Sequence, residues 1–200
     1  MRTNVVTPPG TRRLHWIVDV DAELIARVRG GDARAFDALV GRHAEACWRF
    51  AFRLLGHRAD AEDAVQDTWL RASRALSRYH EQSQFRSWLF QILVNECRRV
   101  QERRARERMR LADDPDALRT VSAKPAHADL HDALQRGLAR LDLAQREAVL
   151  LKFGEGLEYE EMSRLTGYSV SALKMRVMRG RETLRRFFEA EGVHEGVFDE

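Results

Sequence analysis

The distribution of proline constrains this 200-residue chain more than any other feature of its sequence. Its four prolines are Pro8, Pro9, Pro115 and Pro125, so none lies between residues 10 and 114 or after residue 125. A proline in a helix interior costs about 3 kcal/mol, and no apolar/polar alternation of strand length stands out in the chain. The sequence therefore predicts an all-α protein.

Apolar residues recur at three- and four-residue spacing along the first half of the chain. Asp32 is predicted to cap a long helix that stops at Gly56, and Asp60 to cap a second helix. A polar stretch, residues 77–84, interrupts the pattern before a third long helix begins at Phe85. A shorter helix over residues 21–29 comes first. Residues 21–110 are therefore predicted to form one helical domain.

The apolar period disappears over residues 111–128, which contain Pro115, Pro125 and a group of aspartates. This composition predicts a flexible linker. A second, smaller helical domain is predicted over residues 129–188. Residues 1–20 form an N-terminal extension and residues 189–200 an acidic C-terminal tail. We therefore expect two helical domains joined by a linker.

The composition narrows the classes of protein that this chain can belong to. The N-terminal residues show no apolar signal segment, and no apolar run approaches the ~20 residues of a membrane span. Two cysteines cannot form a disulfide scaffold. We expect a cytoplasmic protein that is not inserted in a membrane.

Positive charge is concentrated on one helix of each domain. The 34 basic residues include only three lysines, and seven arginines crowd residues 98–110. Residues 174–186 carry six basic side chains against one glutamate, whereas residues 60–67 carry four acidic ones. Guanidinium groups suit phosphate contacts, so two basic helices across a linker indicate a protein that grips a polyanion, although solvated helix faces have the same composition.

Residues 158–188 have the pattern of a helix-turn-helix. A short helix over residues 158–165 is followed by Gly167 at the turn, where positive φ is needed, and by Ser169 as the cap of the next helix. Val170, Leu173 and Val177 are predicted to point inward, leaving a basic outer face. A major-groove reader has these features; an αα-hairpin within a bundle explains the apolar positions but not the basic face.

No pattern typical of catalysis is present. There is no glycine-rich phosphate loop and no nucleophile motif. His43 and Cys47 share one helix face but lack further ligands nearby in sequence, so packed core residues are the expectation, and His127 and His131 are expected to be solvent-exposed. We expect no enzyme activity, no cofactor, no metal and no small-molecule substrate.

Two motif sets resemble the extracytoplasmic-function (ECF) branch of the bacterial sigma-70 family of RNA polymerase sigma factors. The first comprises AEDAVQDTWLRASRAL at residues 61–76 and FRSWLFQILVNECRR at residues 85–99. The second is LDLAQREAVLLKFGEGLEYEEMSRLTGYSVSALKMRVMRGRETLR at residues 141–185. The resemblance implies a region 2-like domain, which binds core polymerase and recognises and melts the minus-ten element. It also implies a region 4-like domain, which recognises the minus-thirty-five element.

The resemblance also implies site residues. The face toward the clamp helices of the largest polymerase subunit would comprise Asp60, Glu62, Asp63, Gln66 and Asp67. The minus-ten residues would be Tyr79, which stacks an extruded base, together with Arg86, Trp88, Asn95, Arg98 and Arg99. The minus-thirty-five residues would be Ser171, Lys174, Met175, Arg176, Arg179 and Arg181. The implied partners are core RNA polymerase, promoter DNA and an inhibitory anti-sigma factor.

The chain departs from the family pattern inside the recognition helix. Gly180 replaces the usual alanine at a cost of about 1 kcal/mol in helix propensity, and Met175 stands where a small polar residue is common. Two other functions stay open at this point. One is a dimeric helix-turn-helix regulator that binds duplex DNA alone, and the other is a protein-interaction module whose basic helices are merely solvated.

Overall fold

The computed structural model describes residues 15–79, 84–112 and 130–192, and within these ranges it contains helices and no strands. In chain order the helices are α1 (His15–Arg29), α2 (Ala33–Leu55), α3 (Arg58–Ala75), α4 (Phe85–Ala112), α5 (Leu130–Ala139), α6 (Leu143–Val149), α7 (Tyr159–Thr166) and α8 (Val170–Ala190). A 3₁₀ turn, Leu76–Arg78, follows α3, and a π-helical turn, Leu150–Gly154, follows α6. The all-α prediction is confirmed.

The ends of α2 lie where the sequence places them. The Asp32 side chain accepts a hydrogen bond from the Arg34 backbone N–H at 3.0 Å, and Gly56 ends the helix in the left-handed conformation with φ of 71°. The prediction that Asp60 caps the next helix is wrong. Because His57 adopts the extended cap conformation directly after Gly56, α3 begins at Arg58 and Asp60 lies inside its first turn.

Helices α1 to α4 form the N-terminal domain, in which α2 packs against the other three. Leu39, Leu54 and Leu93 are fully buried, and the rings of Phe50 and Phe90 meet edge to face with centroids 5.4 Å apart. Apolar burial of this kind contributes about 1.5–3 kcal/mol per large side chain. The amphipathic stripe of α2 therefore faces the core, as its period predicts.

Helices α5 to α8 form the C-terminal domain, and α7 and α8 make the predicted helix-turn-helix. Gly167 adopts φ of 77° at the turn, and the Ser169 hydroxyl accepts from the Ala172 N–H at 3.2 Å. Met162, Leu173 and Val177 are buried. The turn, the cap and the inward residues Leu173 and Val177 are confirmed, whereas Val170 is only half-buried.

The two domains lie in contact with each other. Helix α4 packs against α7, and α2 packs against the π-helical turn and the start of the C-terminal domain. Most of the predicted N-terminal extension, linker and acidic tail lies outside the described residues. Helix α1 begins at His15, six residues before its predicted start at residue 21, and α8 continues to Ala190.

Candidate functional site

Helix α3 presents an acidic face in which the predicted residues differ in availability. Gln66 and Asp67 are exposed, and Asp63 contacts Arg103 only at 3.5 Å, with both side chains at least half exposed. Glu62 pairs with Arg58 on its own helix at 2.8 Å. Exposed ion pairs of this kind contribute at most ~1 kcal/mol, so these carboxylates can exchange partners at little cost.

Asp60 differs from the rest of this acidic set. It is buried, and its carboxylate is paired with Arg104 of α4, so it joins α3 to α4 instead of facing outward. Asp60 is therefore not on the outward face in this structure, and its predicted contact with polymerase stays a prediction. Asp60 lies in the first turn of α3, where the helix dipole also stabilises a carboxylate.

Leu70 is a candidate contact that the sequence analysis missed. Its side chain is 47% exposed, and it follows Asp63, Gln66 and Asp67 at the three- and four-residue spacing of one helix face. A large apolar residue among exposed carboxylates is a common composition for the centre of a protein-binding surface. The helical spacing that places Leu70 on this face was visible in the sequence.

The predicted minus-ten residues divide into three groups, the first of which lines a cleft between α3 and α4. The cleft has a volume of about 450 Å³. It is lined by Arg71, Arg74, Ala75, Arg78, Ile92, Asn95, Glu96 and Arg99. Of these, only Asn95 and Arg99 were predicted from the sequence.

Charge in this cleft is strongly positive although it contains a buried carboxylate. Glu96 pairs with Arg71 at 2.6 Å and with Arg99 at 2.9 Å. Arg74 and Arg78 have no ion-pair partner within the described part of the chain. The guanidinium groups of this cleft are suited to contact phosphates, and the exposed amide of Asn95 is suited to contact a base edge.

The second group, Arg86 and Arg98, lies at the contact between the domains. Arg98 donates two hydrogen bonds to the Glu147 carboxylate, from Nε at 2.9 Å and from Nη2 at 2.6 Å. Arg86 pairs with the Glu155 carboxylate and donates from Nη1 to the Glu155 carbonyl at 3.1 Å. Both arginines therefore have partners in the C-terminal domain.

The environment of these pairs perturbs their protonation. Burial raises the pKa of the Glu155 carboxyl, although Arg86 beside it acts in the opposite direction. For Arg98, burial disfavours the charged form, but the hydrogen-bonded Glu147 carboxylate outweighs this effect and raises the pKa. Burial therefore destabilises the charged form of Glu155, whereas the Glu147 carboxylate compensates for the burial of the Arg98 guanidinium.

The third group is aromatic, and Tyr79, which was expected to stack on an extruded base, is buried in it. The Tyr79 side chain is 5% exposed, and its ring lies 5.0 Å from the Trp88 ring and 6.0 Å from the Phe85 ring. The ring is therefore not available to a base in this conformation, and its contact with an extruded base stays a prediction. Trp88 is half-buried in the same cluster, so packing accounts for much of its surface.

The exposed face of α8 carries most of the predicted recognition residues. Ser171, Lys174 and Arg179 are exposed, and Met175 is 44% exposed. Met178, which the sequence analysis did not name, is 55% exposed on the same face. Arg181 is exposed and its guanidinium lies 5.5 Å from the Phe153 ring centroid. This surface can enter the major groove of DNA, with the N-terminal residues of α8 nearest the bases.

Arg176 lies apart from that exposed face. Its guanidinium stacks on the Tyr168 ring at 3.6 Å, and Arg98 lies over the same ring at 5.2 Å. Its Nη1 atom is buried and has no hydrogen-bond partner among the described residues. The predicted base contact of Arg176 therefore does not fit this conformation.

Three further observations concern the buried residues His43 and Cys47, metal binding and membrane insertion. His43 and Cys47 are buried, as predicted; the His43 Nε2 atom lies 2.9 Å from an Asp21 oxygen, and burial raises the pKa of the Cys47 thiol to about 12. The described residues contain no cluster of three or more metal-ligating side chains. Within the same ranges, no helix has the length and apolar character needed to cross a membrane. The side chains of His127 and His131 lie outside the description.

Comparison with known families assigns both domains. Residues 39–108 match the family model described as Sigma-70 region 2, and residues 131–184 match Sigma-70, region 4. The ECF sigma factor SigM of Mycobacterium tuberculosis is 34% identical over 83% of this chain and 83% of its own length. The chain belongs to the ECF branch of the sigma-70 family. As a sigma factor, it binds core RNA polymerase and directs promoter recognition and DNA melting.

Other members of the sigma-70 family agree with this assignment. The ECF sigma factor SigE of Mycolicibacterium smegmatis is 35% identical over 76% of the chain, which spans 61% of that relative's length. The sigma factor RpoE of Bartonella quintana, solved with the anti-sigma factor NepR, is 30% identical with a TM-score of 0.64. That match covers 78% of this chain and 98% of RpoE.

Membership in the sigma-70 family decides between the functions left open above. A helix-turn-helix regulator accounts for the region 4 match alone, and a general interaction module accounts for neither match. Sigma factors are transcription regulators rather than enzymes. The order of the two regions along the chain is the one that the motifs indicated.

Proposed function

We propose that the exposed face of α3 binds the clamp helices of the largest polymerase subunit. Asp63, Gln66 and Asp67 supply polar and negative groups, and Leu70 supplies apolar area at the end of the same face. An acidic face speeds association with a basic partner, while a desolvated leucine contributes affinity. The division of roles is supported by the exposure of these side chains and by the weakness of the Asp63–Arg103 contact.

The cleft between α3 and α4 receives the minus-ten element as its strands separate. Arg74 and Arg78 contact phosphates, and Asn95 reads a base edge from the opposite wall. The observation that carries this assignment is the placement of Asn95 and Arg99 in one cleft with arginines of α3, 21 or more residues away in sequence. Glu96 orients Arg71 and Arg99 while leaving the cleft positive.

The C-terminal domain binds the minus-thirty-five element with α8. Ser171 and Lys174 lie near the helix N-terminus, where side chains reach bases, and Arg179 lies one turn further on, where it meets a phosphate. Met175 and Met178 supply apolar contacts such as those made with a thymine methyl group.

Membership in the sigma-70 family also supports a cellular location, an inhibitory partner and a role for each domain. The protein acts in the cytoplasm, where core polymerase is found, and the phosphodiester chemistry belongs to the polymerase rather than to this chain. An anti-sigma factor covers its binding faces until a signal releases it, as NepR is bound by RpoE in the solved complex. Residues 21–110 and 129–188 are the two functional domains, joined by residues 111–128.

Strand separation by the reconstituted holoenzyme tests the cleft assignment. Replacing Arg74 and Arg78 together with alanine is expected to lower the permanganate reactivity of unpaired promoter thymines about tenfold, with core binding unchanged. Arg106→Ala, at the exposed far end of α4, is the matched control. Equal melting by the cleft variant and the control would contradict the assignment.

A further inference from the structure

Two exposed methionines lie on the face of α8 that carries the recognition residues. Met175 is 44% exposed and Met178 is 55% exposed, and their three-residue spacing places both on one side of the helix. Met162 of α7, by contrast, is fully buried in the core of the same domain. A single exposed apolar side chain needs no explanation, but two neighbouring thioethers on a DNA-binding face have a chemistry that leucine and valine lack.

Among the described residues, sulfur is accessible only in methionine side chains. Cys47 and Cys97 are buried, and burial raises the pKa of both thiols, so little of the reactive thiolate forms at neutral pH. A thioether needs no deprotonation to react, so exposure governs its access to an oxidant. Met109, near the end of α4, is 72% exposed but lies outside the recognition face.

Each methionine of this face lies one helical turn from a cation of the proposed DNA contact. Met178 follows Lys174 by four residues, and Arg179 follows Met175 by four residues. Side chains at this spacing are neighbours on a helix surface. Oxidation replaces the apolar sulfur with a polar S=O group, whose oxygen can accept a hydrogen bond from a neighbouring ammonium or guanidinium group. That oxygen therefore competes with a DNA phosphate for the cation, and the apolar contact with a thymine methyl group is lost.

We propose that Met175 and Met178 form a reversible oxidation site, at which hydrogen peroxide turns off binding to the minus-thirty-five element. The proposal rests on the proposed function of α8. A lone pair of the thioether sulfur attacks one peroxide oxygen, and the S–O bond forms as the O–O bond breaks. The departing hydroxide takes the proton of the transferred oxygen and leaves as water, so sulfur loses two electrons and peroxide gains them. Methionine sulfoxide reductases reverse the change, with a dithiol that becomes a disulfide and with release of water.

The test compares oxidised with untreated protein in binding to promoter duplex. Full-length protein is treated with hydrogen peroxide, cleared of peroxide with catalase and assembled with untreated core polymerase. Fluorescence anisotropy measures the affinity of the holoenzyme for a duplex that carries the minus-thirty-five element, and peptide mass spectrometry locates the sulfoxides. Each protein is compared with its own untreated sample, so that only the effect of oxidation is scored.

The test variant is Met175→Leu with Met178→Leu, which removes both sulfur atoms and keeps the side chains apolar. The matched control is Met109→Leu, which removes the exposed thioether of α4 and leaves α8 unchanged. Circular dichroism and urea unfolding of each oxidised sample verify folding. The buried thioether of Met162 is expected to stay unoxidised in every sample.

Oxidation is expected to weaken binding about tenfold in wild type and in the Met109→Leu control, and by less than about twofold in the double leucine variant. Treatment of oxidised wild type with both classes of methionine sulfoxide reductase should restore its affinity. The inference would be overturned by an equal loss in the double variant or by a loss that accompanies unfolding. Sulfoxides at both positions without any loss of affinity would overturn it as well.

Lys174→Ala in untreated holoenzyme separates failure of this inference from failure of the proposed function. If that variant binds the duplex more weakly while oxidation has no effect, the oxidation site is wrong and the role of α8 stands. If neither change alters the affinity, both the oxidation site and the role of α8 are wrong.

Discussion

Gly180 of α8 lies directly against Val149 of α6, because a Cβ atom added to Gly180 would lie 2.6 Å from Val149 Cγ2. This contact explains the glycine that departs from the family pattern. A valine in a helix has essentially one side-chain rotamer and cannot move aside. The helix-propensity cost of the glycine is therefore offset by the close approach of α6 and α8.

Gly180→Ala is expected to destabilise the C-terminal domain. The gain of about 1 kcal/mol in helix propensity is smaller than the overpacking cost of about 1–3 kcal/mol, so the free energy of unfolding in urea should fall. Combining it with Val149→Ala should recover part of the loss, since the two positions are in contact. If Gly180→Ala were instead more stable than wild type, α6 and α8 would have to move apart without strain, which would contradict this explanation.

Reversing the charge of Asp63 and Asp67 together is expected to weaken binding to core polymerase at least tenfold, and Leu70→Ala to weaken it several-fold. The reason is loss of a complementary acidic face and of its apolar centre. Titration of labelled core polymerase measures both. Asp37→Lys with Glu45→Lys, on exposed positions of α2, is the matched control; equal losses for control and test would contradict the assignment.

Lys174→Ala is expected to lower holoenzyme affinity for promoter duplex five- to tenfold, about 1 kcal/mol or somewhat more. Arg176→Ala should cost less, because the Arg176 guanidinium stacks on Tyr168 rather than facing the groove. Fluorescence anisotropy with duplex carrying the minus-thirty-five element measures both. A larger loss for Arg176→Ala than for Lys174→Ala would show that Arg176 turns outward on DNA.

The buried Asp21 carboxyl makes stability depend on pH. Burial acts to raise its pKa, but hydrogen bonds from His43 and Arg42 outweigh this effect and hold the pKa below its usual value of 3.8. A depressed folded pKa contributes stability that is present above pH 3.8 and lost as pH falls through the folded value. Asp21→Asn should therefore lower the free energy of unfolding at pH 7 by about 1–3 kcal/mol.

The pH series supplies the check on Asp21. The difference between wild type and Asp21→Asn in urea unfolding should persist at pH 5. It should shrink as the pH falls from 3.8, where the carboxyl of the unfolded chain takes up a proton, toward the lowered pKa of the folded protein. Asp37→Asn, on an exposed position of α2, should leave stability unchanged throughout. A difference that is the same at pH 3 and pH 7 would contradict the role of the ionised carboxylate.

Local signals were readable from the sequence. Asp32, Gly56, Gly167 and Ser169 act through backbone geometry within a few residues, so the ends of α2 and the turn between α7 and α8 follow from the order of residues. The start of α3 was misjudged because His57 caps it without a side-chain hydrogen bond, which leaves no sequence signal.

Contacts between distant segments were not readable from the sequence. The Arg71 and Arg99 pairs with Glu96, and the pairs that join the domains, depend on how helices pack. Helical spacing shows which residues share a face but not which neighbour covers that face. Tyr79 illustrates the point: a tyrosine in a polar stretch was expected to be available to a base, and the fold buries it against Trp88.

Run-off transcription with purified core polymerase tests the central claim most directly. On a promoter from the protein's own genome, full-length transcript should appear when this chain is added and should be lost when Asp63 and Asp67 are both replaced by lysine. Transcription that is indifferent to the addition of the protein, on every promoter tested, would contradict the account.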